Sequence, residues 1–214
     1  MSPDTIPRRA VLAAAGVLLL SCGRERPRGA LVPSGATVLA LGDSLTFGTG
    51  AQPQEAWTAL LQQASGWVVV NAGVPGDTSA QALARLPELL REHRPQLVVV
   101  SIGGNDFLRR LPESETRDNV RRICEQARAA GAQVLLVAVP RLSLIAAAAG
   151  SLTDHGLYAQ VADELGIVLQ RQGWAEVLSD ETLRADAVHA NALGYAQFAR
   201  SLAATARAAG LLQR

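Results

Sequence analysis

Short apolar runs along the chain alternate with longer segments in which apolar side chains recur every three or four positions. The runs are typical of β-strands: Val38–Leu41, Trp67–Asn71, Leu97–Ile102, Val134–Val139 and the weaker Ile167–Leu169. The third run is apolar on both faces, as parallel strands are when helices cover both sides of a sheet. The alternation therefore predicts an α/β protein, a three-layer α/β/α sandwich with a central parallel sheet and right-handed crossovers.

Three of the longer segments have a clear helical pattern: Ser79–His93, Ser114–Ala130 and Ala192–Ala209. Asp77 or Thr78 precedes the first as its N-cap, and Gly131 follows the second in the position where helices end on glycine. Cys124 falls on the apolar face of the second helix. We interpret its thiol as a small buried hydrophobe rather than a redox or catalytic group.

Residues 1–21 have the pattern of a signal peptide. Arg8 and Arg9 precede an apolar run of eleven residues, Ala10–Leu20. A membrane-spanning helix needs about 20 apolar residues, so the run is too short for a mature anchor. The ending Leu-Leu-Ser-Cys resembles a bacterial lipobox, which implies cleavage before Cys22, a lipid on its sulfur, and a membrane-anchored lipoprotein facing the periplasm or the cell exterior.

Two alternatives stay open at the N-terminus. Cys22 could be a stray cysteine in an ordinary signal, and TIPRRAVL could be a twin-arginine export signal or a simple basic region. Residues 22–35 are rich in Arg, Pro and Gly, as a tether should be. The sequence thus predicts a domain over residues 36–214, with no disulfide because a lipidated Cys22 leaves Cys124 without a partner.

Composition narrows the classes of function. The 214 residues are 49% hydrophobic, which fits one compact domain and predicts a core of Ala, Leu and Val. The formal charge of +1 and the dispersed arginines give no sign of a nucleic-acid partner. The chain has no lysine, so a Walker A lysine and a Schiff-base lysine are excluded. No pattern predicts a metal or another cofactor, and we expect a monomer.

Polar and glycine-containing segments follow the predicted strands. GDSL, Gly42 to Leu45, follows the first; NAGVPGDT, Asn71 to Thr78, follows the second; GGND, Gly103 to Asp106, follows the third; and DAVHAN, Asp186 to Asn191, precedes the last helix. The carboxyl ends of parallel strands share one edge of a sheet, where ligands and reactive groups collect. We therefore expect these segments to lie together.

The residue types suit nucleophilic catalysis. An alcohol such as that of Ser44 becomes a good nucleophile when a positioned imidazole removes its proton, and His189 is the candidate base. Asp186 lies three residues before His189, so one short turn could let the carboxylate fix the tautomer of the ring. Structural roles remain as alternatives: Ser44 could cap the following segment, and His189 could be a surface histidine.

The other polar residues of these segments have simpler interpretations. His93, at a helix end, is expected to be solvated, and His155 to lie on the surface. Asn191 is expected to cap the last helix. Asp43 and Asp106 are expected to support their neighbours by hydrogen bonds rather than to take part in chemistry.

With these four segments in this order, the chain resembles the GDSL or SGNH hydrolase family from about Thr37 to the C-terminus. It looks most like the bacterial periplasmic arylesterases and acyl thioesterase/lysophospholipases. The resemblance implies a flavodoxin-like fold and a serine esterase that acts on small acyl esters or thioesters without a cofactor. It implies catalytic residues Ser44, Asp186 and His189, with an oxyanion hole formed by the backbone N–H groups of Ser44 and Gly76 and the side-chain amide of Asn105.

One residue departs from the family pattern: Ala190 stands where many members have proline, which loosens the turn without removing a reacting group. Leu108, Leu142, Leu144 and Ile145 could line an acyl groove or simply pack in the core.

Three rival functions remain. The same residues would serve a deacetylase of an envelope polysaccharide, and the protein could instead be a lipoprotein that binds ligands without catalysis. A flavodoxin-like nucleotide-binding domain is suggested by Gly48-Thr49-Gly50, although Pro53 occupies the place of the third glycine of the dinucleotide motif.

Overall fold

The computed structural model describes residues 28–141 and 151–213. Within them, five strands form one parallel sheet in the order β2-β1-β3-β4-β5. The strands are β1 Thr37–Gly42, β2 Val68–Gly73, β3 Leu97–Ser101, β4 Gln133–Val137 and β5 Val168–Gln170. Every predicted strand is confirmed, with ends that differ by one or two residues at most.

Helices connect the strands and cover the sheet. They are α1 Ser44–Phe47, α2 Trp57–Ser65, α3 Ser79–His93, α4 Gly104–Leu108, α5 Glu113–Ala129, α6 Gly156–Leu165, α7 Gly173–Ser179 and α8 Ala192–Ala208, with 3₁₀ turns at Pro53–Glu55 and Glu181–Leu183. One group of packed helices contains α3, α5 and α6, and the other contains α2, α7 and α8. The predicted three-layer α/β/α sandwich is confirmed.

Some predictions fall outside the described residues. These are the signal peptide, the lipidated Cys22, most of the tether, and the groove candidates Leu142, Leu144 and Ile145. Across residues 28–141 and 151–213, no helix combines the length and the hydropathy that crossing a membrane requires.

Side chains cap two of the predicted helices at their N-termini. The Thr78 side chain accepts the N–H of Gln81, whose own side chain accepts the N–H of Thr78, so that Thr78 rather than Asp77 is the N-cap of α3. The Asn191 side chain accepts the N–H of Gly194 and caps α8, as expected.

The core contains the expected aliphatic residues and also three buried tryptophans. Every position of β3 is buried, as the two-sided apolar pattern predicts. Trp174 stacks on Phe198 with ring centroids 3.6 Å apart, and its indole N–H donates to Ser101 Oγ at 2.9 Å. Cys124 is a buried free thiol, and burial raises its pKa to about 12. The interpretation of Cys124 as a packing residue is therefore confirmed.

The strand order determines where a site can form. The chain leaves β1 for β2 on one side and reaches β3 on the other, so the connections diverge at the carboxyl ends of β1 and β3. In open α/β sheets, ligands bind at such a crevice. Ser44 follows β1 and Asn105 follows β3, which brings both to this edge of the sheet.

Candidate active site

The turn after β1 presents the hydroxyl of Ser44. Asp43 is the N-cap of α1, and its side chain accepts the N–H of Leu45 at 3.1 Å. Ser44 is therefore not the cap, and its Oγ lies 2.9 Å from Nε2 of His189. A Cβ on Gly42 would clash with the side-chain oxygen of Thr46. Glycine is therefore required where β1 bends into this turn.

A short turn before α8 holds Asp186 and His189 together. Nδ1 of His189 lies 2.8 Å from Oδ2 of Asp186, while Oδ1 accepts the backbone N–H groups of Val188 and His189, both at 2.9 Å. Partial burial raises the pKa of Asp186, but the hydrogen bonds from these groups and the charge of His189 outweigh it and lower that pKa. An ionised Asp186 places the proton of the neutral ring on Nδ1, so the lone pair of Nε2 faces Ser44.

The three side chains thus form one continuous hydrogen-bonded chain. The hydroxyl of Ser44 can pass its proton to Nε2 of His189, and the Asp186 carboxylate can stabilise the imidazolium that results. Sequence reasoning predicted this association, and the structure brings the three residues together across 145 positions of the chain.

Hydrogen bonds between backbone and side chains hold the turn around His189 and Ala190. The N–H of Ala185 donates to the carbonyl of His189 at 2.9 Å. The Asn191 amide donates to the carbonyls of Thr182 at 2.8 Å and Arg184 at 3.2 Å. These bonds close the turn from both ends with alanine at position 190.

The three groups predicted as oxyanion donors have N–H hydrogens that are free to bind a substrate. The N–H groups of Ser44 and Gly76 donate to no acceptor within residues 28–141 and 151–213. Gly76 has φ +85°, which favours glycine and leaves no side chain over its N–H. The Asn105 amide donates one hydrogen to the carbonyl of Asp77 at 3.0 Å and has a second to offer.

Two arginines that the sequence analysis missed hold the segment around Gly76. Arg109 donates to the carbonyl of Gly76 at 2.7 Å. Arg85 donates to Oδ2 of Asp77 and to the carbonyl of Gly42, both at 2.8 Å. The spacing of eight residues from Asp77 to Arg85, about two turns of a helix, was a signal that could have linked that pair.

Asp106 joins α4 to the start of α3. Its buried carboxylate accepts the N–H of Ser79 at 2.8 Å, the hydroxyl of Ser79 at 2.5 Å and the hydroxyl of Thr116 at 3.2 Å. These bonds fix α4, and with it the neighbouring Asn105. The expected supporting role of Asp106 therefore has a structural basis.

Asp43 is a buried carboxyl directly before Ser44. Burial raises its pKa to about 7, and the charge of Asp106 adds to this, while the N–H of Leu45 and the charge of His189 act in the opposite direction. The charge of Asp43 therefore changes near neutral pH.

The other histidines lie outside this arrangement. His93 ends α3 with its side chain 24% exposed. The expectation that His155 lies on the surface is wrong, since it is buried. His155 caps α6 by accepting the N–H of Leu157, and its ring stacks on Phe107 at 4.5 Å.

A small cavity opens beside the hydroxyl of Ser44. Its volume is about 70 Å³, and the residues that line it include Ser44, Asn105 and His189 together with Leu45, Leu108 and Val188. In the part of the chain that the structure describes, no three His, Cys, Asp or Glu side chains are grouped so that they could hold a metal ion.

Known proteins resemble this chain in sequence and in fold. A profile of the GDSL-like Lipase/Acylhydrolase family matches residues 40–197. "Esterase TesA" of Pseudomonas aeruginosa is 44% identical over 108 residues, which are 48% of this chain and 54% of that protein. "Thioesterase 1/protease 1/lysophospholipase L1" of Escherichia coli is 38% identical over 158 residues, which are 72% of this chain and 76% of that protein.

Two solved structures of esterases are similar to this fold. The crystal structure of TesA superposes with a TM-score of 0.71 and 31% identity, covering 81% of this chain and 99% of the other. The psychrotrophic esterase EstA from Pseudoalteromonas sp. gives a TM-score of 0.69 and 26% identity, covering 81% of this chain and 97% of the other.

The fold and these relatives define the protein as a hydrolase. The chain belongs to the GDSL-like lipase/acylhydrolase family, which confirms the resemblance seen in its motifs. The chain spans about half the length, 54%, of the Pseudomonas aeruginosa relative and 76% of the length of the Escherichia coli relative.

Proposed function

We propose that the protein is a serine esterase that hydrolyses carboxylic esters or thioesters through an acyl-enzyme on Ser44. The observation that carries this proposal is the hydrogen-bonded chain from Ser44 Oγ to His189 Nε2, 2.9 Å, and from His189 Nδ1 to Asp186 Oδ2, 2.8 Å. A hydroxyl, an imidazole and a carboxylate in this order are the groups that acyl transfer through a serine requires.

In the first half of the reaction, Ser44 Oγ attacks the carbonyl carbon of the substrate while its proton moves to Nε2 of His189. Asp186 stabilises the resulting imidazolium. The negative charge on the substrate oxygen is met by the N–H groups of Ser44 and Gly76 and by the free amide hydrogen of Asn105. His189 then gives its proton to the departing alcohol or thiol, which leaves an acyl group on Ser44.

The second half repeats these steps with water. His189 takes a proton from a water molecule as the water oxygen attacks the acyl carbon, and the same donors hold the oxyanion. The bond from the acyl carbon to Ser44 Oγ breaks, and the proton returns from Nε2 to Oγ. The acid product departs, and the side chains are as they began.

The proposed substrates are aryl esters, acyl thioesters and lysophospholipids. Support comes from the names of relatives, which include an arylesterase of Vibrio mimicus that is 35% identical over 107 residues. Leu45, Leu108 and Val188 give the cavity an apolar lining that suits an acyl chain. Leu108 is 41% exposed and so is accessible to substrate.

Hydrolysis by the purified protein tests this function. We expect p-nitrophenyl acyl esters and acyl thioesters to be hydrolysed at rates that depend on acyl length, and Ser44→Ala to remove the activity. Acetylated glycans provide the comparison. If kcat/KM for releasing acetate from glycans exceeds that for every acyl ester, the protein is instead a polysaccharide deacetylase.

We further infer that the protein is exported and anchored by a lipid on Cys22. The support is the basic pair, the apolar run and the Leu-Leu-Ser-Cys ending of residues 1–22. Expression of the full chain in a bacterium should place it in the membrane fraction with a lipid-modified N-terminal cysteine. Cys22→Ser should lose the lipid and the membrane association, and an unmodified wild-type protein in the soluble fraction would refute the inference.

A further inference from the structure

We propose that Arg85 is a positioning residue for the oxyanion hole, an inference that rests on the proposed esterase function. Arg85 belongs to α3, and only 24% of its side chain is exposed. Its Nε donates to Oδ2 of Asp77 and its Nη2 to the backbone carbonyl of Gly42, both at 2.8 Å. One guanidinium therefore binds two different segments of the site.

The two acceptors of Arg85 belong to Gly42 and Asp77, and each oxyanion donor is close to one of them in sequence or is hydrogen-bonded to it. Gly42 ends β1 two residues before Ser44, whose N–H is the first donor. Asp77 directly follows Gly76, whose N–H is the second. The carbonyl of Asp77 accepts the amide of Asn105, the third donor, at 3.0 Å. Arg85 thus links the turn after β1 to the segment after β2, and it shares the carbonyl of Gly42 with the N–H of Val74.

Arginine has the chemistry that this position requires. Its guanidinium is planar, always charged and carries several donors in a fixed arrangement, so it can bind a carboxylate and a carbonyl in set directions at once. The Asp77 side chain is 10% exposed, so little water can replace the guanidinium. Without Arg85, the largely buried carboxylate of Asp77 loses its partner, and its segment must shift to reach solvent. The carbonyl of Gly42 keeps the N–H of Val74 as a donor at 3.1 Å.

A small shift of the segment around Gly76 and Asp77 matters because oxyanion donors act over short distances. A misplacement of about 1 Å costs roughly 100-fold in rate. Arg85 touches neither His189 nor Asp186, so proton transfer within the chain of three side chains is unaffected. The geometry therefore assigns Arg85 an effect on the stabilisation of the transition state rather than on the ionisation of the site.

The experiment compares wild type, Arg85→Ala, Arg85→Lys and Arg91→Ala on an aryl ester that the wild type hydrolyses. Arg91 is a matched control because it lies on the same helix and pairs with Glu88 at the surface. We expect kcat to fall about 100-fold in Arg85→Ala, with KM and the pH profile nearly unchanged. Arg85→Lys should lose less, since an ammonium keeps the charge but not the paired directions.

Added guanidinium ion, far below denaturing concentration, should raise the kcat of Arg85→Ala and leave that of Arg91→Ala unchanged. A kcat for Arg85→Ala within about two-fold of wild type would overturn the proposal, as would a loss that falls on KM alone. If Arg85→Ala does not fold, the kcat of Arg85→Lys is the deciding measurement. A kcat equal to that of the wild type would overturn the positioning role. A wild type that hydrolyses no acyl ester refutes the proposed function instead, so the two failures are distinguishable.

Discussion

Two regions of the site are held in opposite ways. The turn with Asp186 and His189 is closed by hydrogen bonds between residues at most nine apart, and the Asp186 side chain is 55% exposed. The region of the oxyanion donors is held by bonds between residues far apart, 43 positions from Arg85 to Gly42 and 28 from Asn105 to Asp77. The acid and base are therefore arranged locally, whereas the donors are arranged by the fold.

This difference has consequences for substitutions. In the local turn, a lost side chain should affect chemistry with little effect on folding, because its surroundings are solvated. In the donor region, a lost side chain should affect both, since its partners are buried and belong to different elements. The following predictions separate the two regions, beginning with the largest effect.

The largest loss is expected where the two regions meet, at Ser44 and His189. Each of Ser44→Ala and His189→Ala should lower kcat for an aryl ester by about 10⁴-fold or more, because the nucleophile and its base act as a unit. The double variant should be no slower than either single variant. Losses that multiply in the double variant would show that the two side chains act independently.

A smaller loss is expected from a single oxyanion donor. Asn105→Ala should lower kcat by roughly 100 to 1,000-fold with little change in KM, because the amide binds charge that develops in the transition state. Gln160→Ala is the control, since this amide side chain is exposed on α6 and does not line the cavity. Comparable losses in steady-state kinetics for both variants would contradict the assignment of Asn105.

Substitutions of Asp106 and Asp186 test the difference between the two regions through the free energy of unfolding. Asp106→Ala should lower the free energy of unfolding by about 3 kcal/mol, because it leaves three buried donors without their acceptor. Asp186→Ala should change that free energy by less than about 1 kcal/mol while lowering kcat, since its carboxylate is half exposed. Urea unfolding of both variants measures the difference, and equal destabilisation would remove the distinction between the regions.

The smallest effect is expected from Asp43 and depends on pH. The folded protein keeps a proton on this carboxyl up to its raised pKa of about 7, whereas the ordinary pKa of aspartate, which applies in the unfolded chain, is 3.8. The folded state thus binds more protons between these values, and stability falls as pH rises through this range. Asp43→Asn cannot ionise and should lack this fall.

Relative to wild type, Asp43→Asn should therefore gain on the order of 2 kcal/mol in unfolding free energy between pH 5 and pH 8. Urea unfolding at both pH values measures this gain, with Asp118→Asn on the exposed surface of α5 as the control. The same pH dependence in wild type and Asp43→Asn would contradict a buried carboxyl that titrates near neutral pH.

The same contrast explains what could be predicted from sequence. Strands appear as apolar runs, and the Asp186 to His189 spacing describes a single turn, so both are visible locally. The pairing of Ser44 with His189 required only that strand ends share an edge. Arg85 and Arg109 were not found because their acceptors are a carboxylate and backbone carbonyls whose positions depend on sheet order and helix rotation. The burial of His155 was also not predicted, because it depends on packing against Phe107 and on the start of α6, which the local sequence does not show.

The most direct test of the account is labelling of the folded protein with a fluorophosphonate probe, followed by intact mass measurement and peptide mapping. We predict one adduct per wild-type chain, located on Ser44, no adduct in Ser44→Ala, and much slower labelling in His189→Ala. An adduct on another residue, or equal labelling rates in wild type and His189→Ala, would contradict the claim that His189 activates the hydroxyl of Ser44.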